Sequence, residues 1–185
     1  MSPYSWFAAE RINTLLPDAV WRPLYAGALF KENERRSWGL DDRRVAGIAD
    51  CEARARSHGL GPIHWPDPWP SNDLIVARGM TFADRRSRLP ELALTAMRMA
   101  FREGRDLGEL AVVAEAAERI GIDADELKRP VAEPQIKDDL RATNDQAISL
   151  GVLGVPTVIV DHELYWGDDR LDEAAAACTR QLDQR

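Results

Sequence analysis

The chain has 185 residues, 45% of them hydrophobic and 30% charged, enough apolar matter for one packed domain or a core with one insertion, and too much for a disordered or low-complexity chain. Its 24 basic and 31 acidic side chains leave a formal charge of −7, and no basic stretch lacks interspersed acids, which excludes an electrostatic nucleic-acid footprint. No apolar run approaches the ~20 residues of a membrane helix, and the start lacks the basic-then-apolar pattern of a secretory signal, so the expected compartment is the cytoplasm.

In chain order, Ser2-Pro3 ahead of YSWFAAERINTLL predicts a helix to about Leu16, with serine as N-cap and proline at the first helical position. Ala19 to Ala26 alternates aromatic and branched residues and predicts a strand, with Pro23 suited to an edge. From Asp41 the texture turns helical: 41–59, 72–88, 90–104 and 108–121 each carry apolar residues at helical spacing and close on glycine, proline or a charged break. Between the first two lies GPIHWPDPWPSN, whose four prolines forbid a helix or central strand and whose two tryptophans require an ordered loop. A short helix follows at 123–128 and a longer one at 134–150. Thr157 to Val160 and Glu163 to Trp166 flank Asp161-His162 as a tight antiparallel hairpin, and Asp168-Asp169 opens a last amphipathic helix to about Leu182. Cys51 and Cys178 form no CxxC and read as ordinary buried thiols. His58, His64 and His162 lack metal-ligand spacing, so no metal is expected.

The order helix, strand, helical block, hairpin, helix, with Gly154-Val155-Pro156-Thr157 directly before the hairpin, resembles a thioredoxin fold, in which the proline at this place is cis. The chain is similar to the 2-hydroxychromene-2-carboxylate isomerases and kappa-class glutathione transferases, a DsbA-like group, through SPYSW at 2–6, GALFK at 27–31, GVPT at 154–157 and LYWGDDRL at 164–171. The resemblance implies an α/β thioredoxin-like core over 1–40 and 131–185, with a large helical insertion over 41–130. DsbA-like proteins open the first helix with a CxxC pair, where the helix dipole favours the thiolate. Here Ser2 and Ser5 stand at both cysteine positions, which removes disulfide exchange and shifts the expected chemistry to binding a thiol cofactor, glutathione or another low-molecular-weight thiol.

The resemblance further implies that Ser2 is the active-site serine, donating a hydrogen bond to the cofactor sulfur and keeping it ionised. Val155 would hold the cofactor's cysteinyl backbone, with cis Pro156 exposing its N–H and C=O. Asp168 and Asp169 would receive the γ-glutamyl end, Asp169 being the acid that matches the family. Taken alone, Ser2 is an N-cap worth ~1 kcal/mol and the two aspartates cap the last helix. Trp65, Trp69 and Asn72 either shape a substrate pocket or pack the insertion onto the thioredoxin half. After GALFK this chain departs from the family, leaving Asn33, Arg43 and Arg44 as stand-ins for the ligands of the cofactor's glycine end, which stays unassigned.

The implied activity is a glutathione-dependent isomerisation of the 2-hydroxychromene-2-carboxylate type on small aromatic catabolites: the thiolate adds to a conjugated substrate, permits rotation about a formerly double bond, and leaves again. A kappa-like transferase and a non-catalytic thiol- or peptide-binding module are the alternatives. The family resemblance also implies a homodimer. Finally, the thioredoxin fold places a central strand ahead of the first helix, between the strands expected at 19–26 and 157–160. This sequence begins on the helix, so the expectation is that the strand is missing and that the functional protein starts roughly ten residues upstream.

Overall fold

The computed structural model describes residues 1–182. Ser2 is extended and Pro3 starts helix α1 (Pro3–Leu15), where the fixed φ of proline suits the first turn and its missing N–H costs nothing. One face of α1 carries Trp6 and Phe7, both fully buried. Trp6 stacks on Phe101 at 5.6 Å between ring centroids. Glu10, one turn further, accepts from Trp6 Nε1 at 2.9 Å, from Arg98 through both oxygens at 2.9 and 2.6 Å, and from Arg102 at 3.1 Å, clamping α1 to the insertion.

The helical block follows the expected periodicity: α3 (Arg44–Ser57), α4 (Leu74–Asp84), α5 (Leu89–Glu103), α6 (Leu110–Glu118), α7 (Ala124–Val131) and α8 (Pro134–Ser149). Helix α5 buries Leu89, Leu92, Ala93, Ala96, Met97, Ala100 and Phe101, a stripe at three- and four-residue spacing that Met99 widens, and ends on Gly104 at φ 69°, a conformation that favours glycine. The proline-rich loop 61–72 has no regular structure and is packed inward: Trp69 is 6% exposed. Its carbonyl accepts from Arg44 at 2.5 Å.

Strands β1 (Thr157–Val160) and β2 (Glu163–Trp166) pair antiparallel from Thr157 opposite Trp166 to Val160 opposite Glu163. Asp161 and His162 turn the chain at φ 49° and 71°, the positive pair that a two-residue hairpin turn needs. Tyr165 and Val158 pack with Ala8, Leu16, Leu171 and Ala174, joining the hairpin to α1 and to α9 (Leu171–Leu182), which a single 3₁₀ turn over Asp168–Arg170 precedes.

The strand expected at Ala19 to Ala26 is not formed. Among the described residues the hairpin is the one ladder, and a strand exists through its partners rather than through its own composition. Residues 19–25 carry no regular structure instead, and are fixed where Tyr25 N–H donates to Oδ1 of buried Asn144 at 3.1 Å. Ala26 already belongs to a helix that the sequence did not announce, α2 (Ala26–Glu32), whose Leu29 is buried against Ala147 and Val152 of α8 and the turn after it.

Candidate functional site

Ser2 caps α1. Its Oγ accepts from Ser5 N–H at 3.4 Å, which uses an oxygen lone pair and leaves the hydroxyl proton free to donate. The Val155–Pro156 bond is cis. Pro156 C=O accepts from Gly167 N–H at 3.0 Å, while Val155 N–H and C=O have no backbone partner among the described residues. Such a pair two residues ahead of β1 suits an extended peptide laid alongside it. Thr157 Oγ1 donates to Gly154 C=O at 2.8 Å and pins the approach to that edge.

The two aspartates diverge. Asp168 is 1% exposed, its carboxylate turned inward onto Arg54 Nη1 at 3.0 Å and His58 Nε2 at 3.6 Å. Burial pushes its carboxyl above the ordinary range, Arg54 and His58 oppose that, and Asp169 adds to it. The side chain of Asp169 is 60% exposed, with Arg54 at 3.9 Å. Asp169 is thus the acid available to a ligand, and Asp168 ties the hairpin end to α3.

Ser2, Val155, Pro156, Asp168 and Asp169 all line one open cavity of about 730 Å³. The sequence-based alternatives for the loop resolve by position: Trp69 and Asn72 also line it, whereas Trp65 stands behind, 4.6 Å from Trp69 between ring centroids. Tyr4 and Trp38 complete an aromatic wall, with Trp38 at 6.2 Å from Tyr4 and 4.9 Å from Trp69. Burial, and then the neighbouring Cys51 and Asp50, push the Tyr4 hydroxyl up, so it stays protonated and donates to Asp50 at 3.2 Å. Burial pushes the Cys51 thiol up to about 12, which leaves it a core residue with no thiolate to offer. Cys178, expected to be buried, is partly exposed.

None of the three stand-ins for the glycine end reaches the cavity unengaged. Asn33 Nδ2 donates to Leu29 C=O within its own helix at 2.8 Å, Arg43 is forked onto Asp41, and Arg44 serves the carbonyls of Gly39 and Trp69. Sequence reasoning missed Arg54, Trp38, Tyr4 and Tyr25. Arg54 meets Asp168 across 114 positions, and no local pattern signals such a pair.

Residues 1–178 match the family model of the DSBA-like thioredoxin domain. The chain belongs to this family. It is 26% identical to human glutathione S-transferase kappa 1 over 192 residues, covering 93% of this chain and 84% of that protein. It is 43% identical to the 2-hydroxychromene-2-carboxylate isomerase of Sphingobium xenophagum over a 56-residue stretch, 30% of this chain and 29% of that one. A solved 2-hydroxychromene-2-carboxylate isomerase superposes with a TM-score of 0.84 at 19% identity, over 99% of this chain and 92% of its own. The resemblance seen in SPYSW, GALFK, GVPT and LYWGDDRL therefore holds along the chain, and the fold is thioredoxin-like with a helical insertion. Both sequence relatives are enzymes, one an isomerase and one a glutathione transferase. No helix among the described residues is long and apolar enough to cross a membrane.

Proposed function

We propose that the cavity binds glutathione and that the protein is a glutathione-dependent isomerase of the 2-hydroxychromene-2-carboxylate type. The observation that carries this reading is the convergence of a free hydroxyl proton on Ser2, an unpaired backbone edge at Val155 and an exposed acid at Asp169 in one cavity. Each group suits a different part of the cofactor. Ser2 and the Tyr4 N–H, the one first-turn amide of α1 left unpaired among the described residues, favour a sulfur anion in front of them at the positive end of the helix. Val155 accepts from and donates to the cysteinyl backbone, and Asp169 takes the γ-glutamyl ammonium. Bound there, the thiol supplies a nucleophile that can add to a conjugated double bond and leave again.

The remaining walls suit the electrophile. Tyr4, Trp38 and Trp69 form an aromatic wall beside Ser2, their rings tilted by 58° and 54° from one to the next, fit to pack an aromatic electrophile beside the sulfur. Tyr4 keeps its proton, so the wall adds no negative charge near a thiolate. A kappa-like transferase would use the same groups without releasing the thiol. Titration with glutathione, followed by turnover assays on a 2-hydroxychromene-2-carboxylate and on a chromogenic electrophile, separates the readings. Isomerisation supports the proposal, conjugation alone supports the transferase, and binding with neither reduces the protein to a thiol-binding module.

A further inference from the structure

The exposed acid at the end of the hairpin is held rather than loose. Asp169 folds its carboxylate back over Gly167, so closely that a Cβ there would collide with Asp169 Oδ1. Gly167 itself takes φ 115° and ψ 155°, a region that glycine alone adopts readily. The same carboxylate oxygen lies 3.9 Å from Arg54 Nη1. A floor of backbone and a flanking charge therefore aim the Asp169 side chain.

Arg54 is in turn pinned along its edge and on one face. Its Nη1 donates to Asp168 Oδ1 at 3.0 Å and its Nε to Asp50 Oδ2 at 2.9 Å. Its guanidinium carbon lies 5.3 Å from the centroid of the Tyr4 ring. The Tyr4 hydroxyl donates to the same Asp50 oxygen at 3.2 Å, so Arg54 meets this tyrosine both through its ring and through a shared carboxylate. Among the described residues no other arginine or lysine pairs with the carboxylates of Asp50, Asp168 or Asp169. A planar guanidinium can serve three carboxylates in its plane while a ring packs on its face, which a point charge such as lysine cannot. Arg54, Tyr4 and Asp169 all line the cavity.

We propose that Arg54 is a positioning residue that sets Asp169 and the Tyr4 ring in one register, so that the anchor for the thiol's ammonium and the wall for the electrophile act as a unit. The assignment rests on the thiol-binding reading above and deepens it. It requires a coupling between the two ends of the site. Loss of the Tyr4 hydroxyl, whose partner is Asp50, frees Arg54 and thereby loosens the grip of Asp169 on the ammonium.

Calorimetric titration with glutathione and with N-acetylglutathione, which lacks the ammonium, reads that grip as the ratio of the two dissociation constants. The expected ratio is about tenfold in the wild type and about two- to threefold in Arg54→Lys, which keeps a charge beside buried Asp168 but loses the fork. Tyr4→Phe, which keeps the ring and loses the bond to Asp50, falls between, and adding it to Arg54→Lys lowers the ratio no further. At saturating glutathione, Arg54→Lys also raises the Michaelis constant of an aromatic electrophile; if that constant does not move, Arg54 serves the cofactor end alone and the coupling is wrong. Thermal unfolding of each variant separates this role from a purely structural one. A lowered unfolding temperature with the ratio still at its wild-type value overturns the proposal, and should Arg54→Lys fail to fold, Tyr4→Phe decides by the same criterion. A wild-type ratio of one removes the ammonium from Asp169, and the proposal with it, while thiol binding stands. If the wild type binds neither thiol, both readings fall.

Discussion

Replacing Ser2 distinguishes a helix cap from a thiolate donor, because the two roles respond differently to alanine and to aspartate. The cap contact is 3.4 Å long, at the weak end of hydrogen bonding, so Ser2→Ala should cost only about 0.5–1 kcal/mol of folding stability. A hydroxyl donating to a thiolate is charge-assisted and worth roughly 1.5–3 kcal/mol, and one pKa unit is ~1.4 kcal/mol. Its loss should therefore raise the pKa of bound glutathione by about one to two units and slow turnover near neutral pH accordingly. Ser2→Asp keeps a capping oxygen and adds a negative charge beside the sulfur. Its stability should match or exceed that of the wild type, while the thiol pKa climbs above the value in Ser2→Ala. Ultraviolet absorbance of the bound thiolate across pH, with thermal unfolding of each variant, reads both quantities. A thiol pKa indifferent to both substitutions would leave Ser2 a cap and remove it from the chemistry.

Asp169→Asn should weaken glutathione about tenfold at unchanged kcat, since its place is at the cofactor's far end; a lower kcat at saturating thiol with unaltered affinity would contradict that. Arg54→Ala strands the buried Asp168 with His58 alone and should destabilise the fold by about 3 kcal/mol at neutral pH. Because burial already holds the Asp168 carboxyl above its unfolded value, the cost of keeping it charged is absent once it is protonated. The deficit should therefore shrink as pH falls through the carboxyl range, and a constant difference in unfolding temperature would refute it. Burial raises the Glu10 carboxyl, but the donors from Arg98, Trp6 and Arg102 outweigh it and hold the group below its ordinary range. Its clamp thus stabilises above the unfolded carboxyl pKa and is lost as pH falls through the folded one, so Glu10→Gln should cost about 1–3 kcal/mol near neutral pH in denaturant unfolding and converge on the wild type in acid.

Where structure is local, it was legible. Ser2-Pro3 and Pro134 mark helix starts, Gly104 marks an end, and Asp161-His162 sits between branched runs, because caps, left-handed turns and alternation are decided within a few residues. Ala19 to Tyr25 has strand composition and no ladder, since pairing depends on distant backbone that composition does not encode. The same limit applies to the site. The candidates Ser2, Val155 and Asp169 each sit in a short motif that the sequence displays, whereas Arg54 reaches Asp168 from the insertion. Composition and spacing leave Asp168 and Asp169 equivalent; the family resemblance favours Asp169, and burial separates them physically.

The serines at positions 2 and 5 change what the fold can do without changing how it does it. A helix start that lowers a cysteine pKa presents unpaired N–H groups and a positive dipole end, and both remain when the cysteine is replaced. What is lost is a sulfur attached to the chain. Neither cysteine lines the cavity, and Cys51 is held as a neutral thiol by its burial. An anionic sulfur at the α1 terminus must then arrive on a ligand, and a ligand must be held at more than one point to keep that sulfur aligned. Under the proposed function, the free Val155 edge and the exposed Asp169 supply two such points. On the proposed function, serine in place of cysteine moves selectivity from the reactivity of one side chain to the shape and charge of the whole cavity.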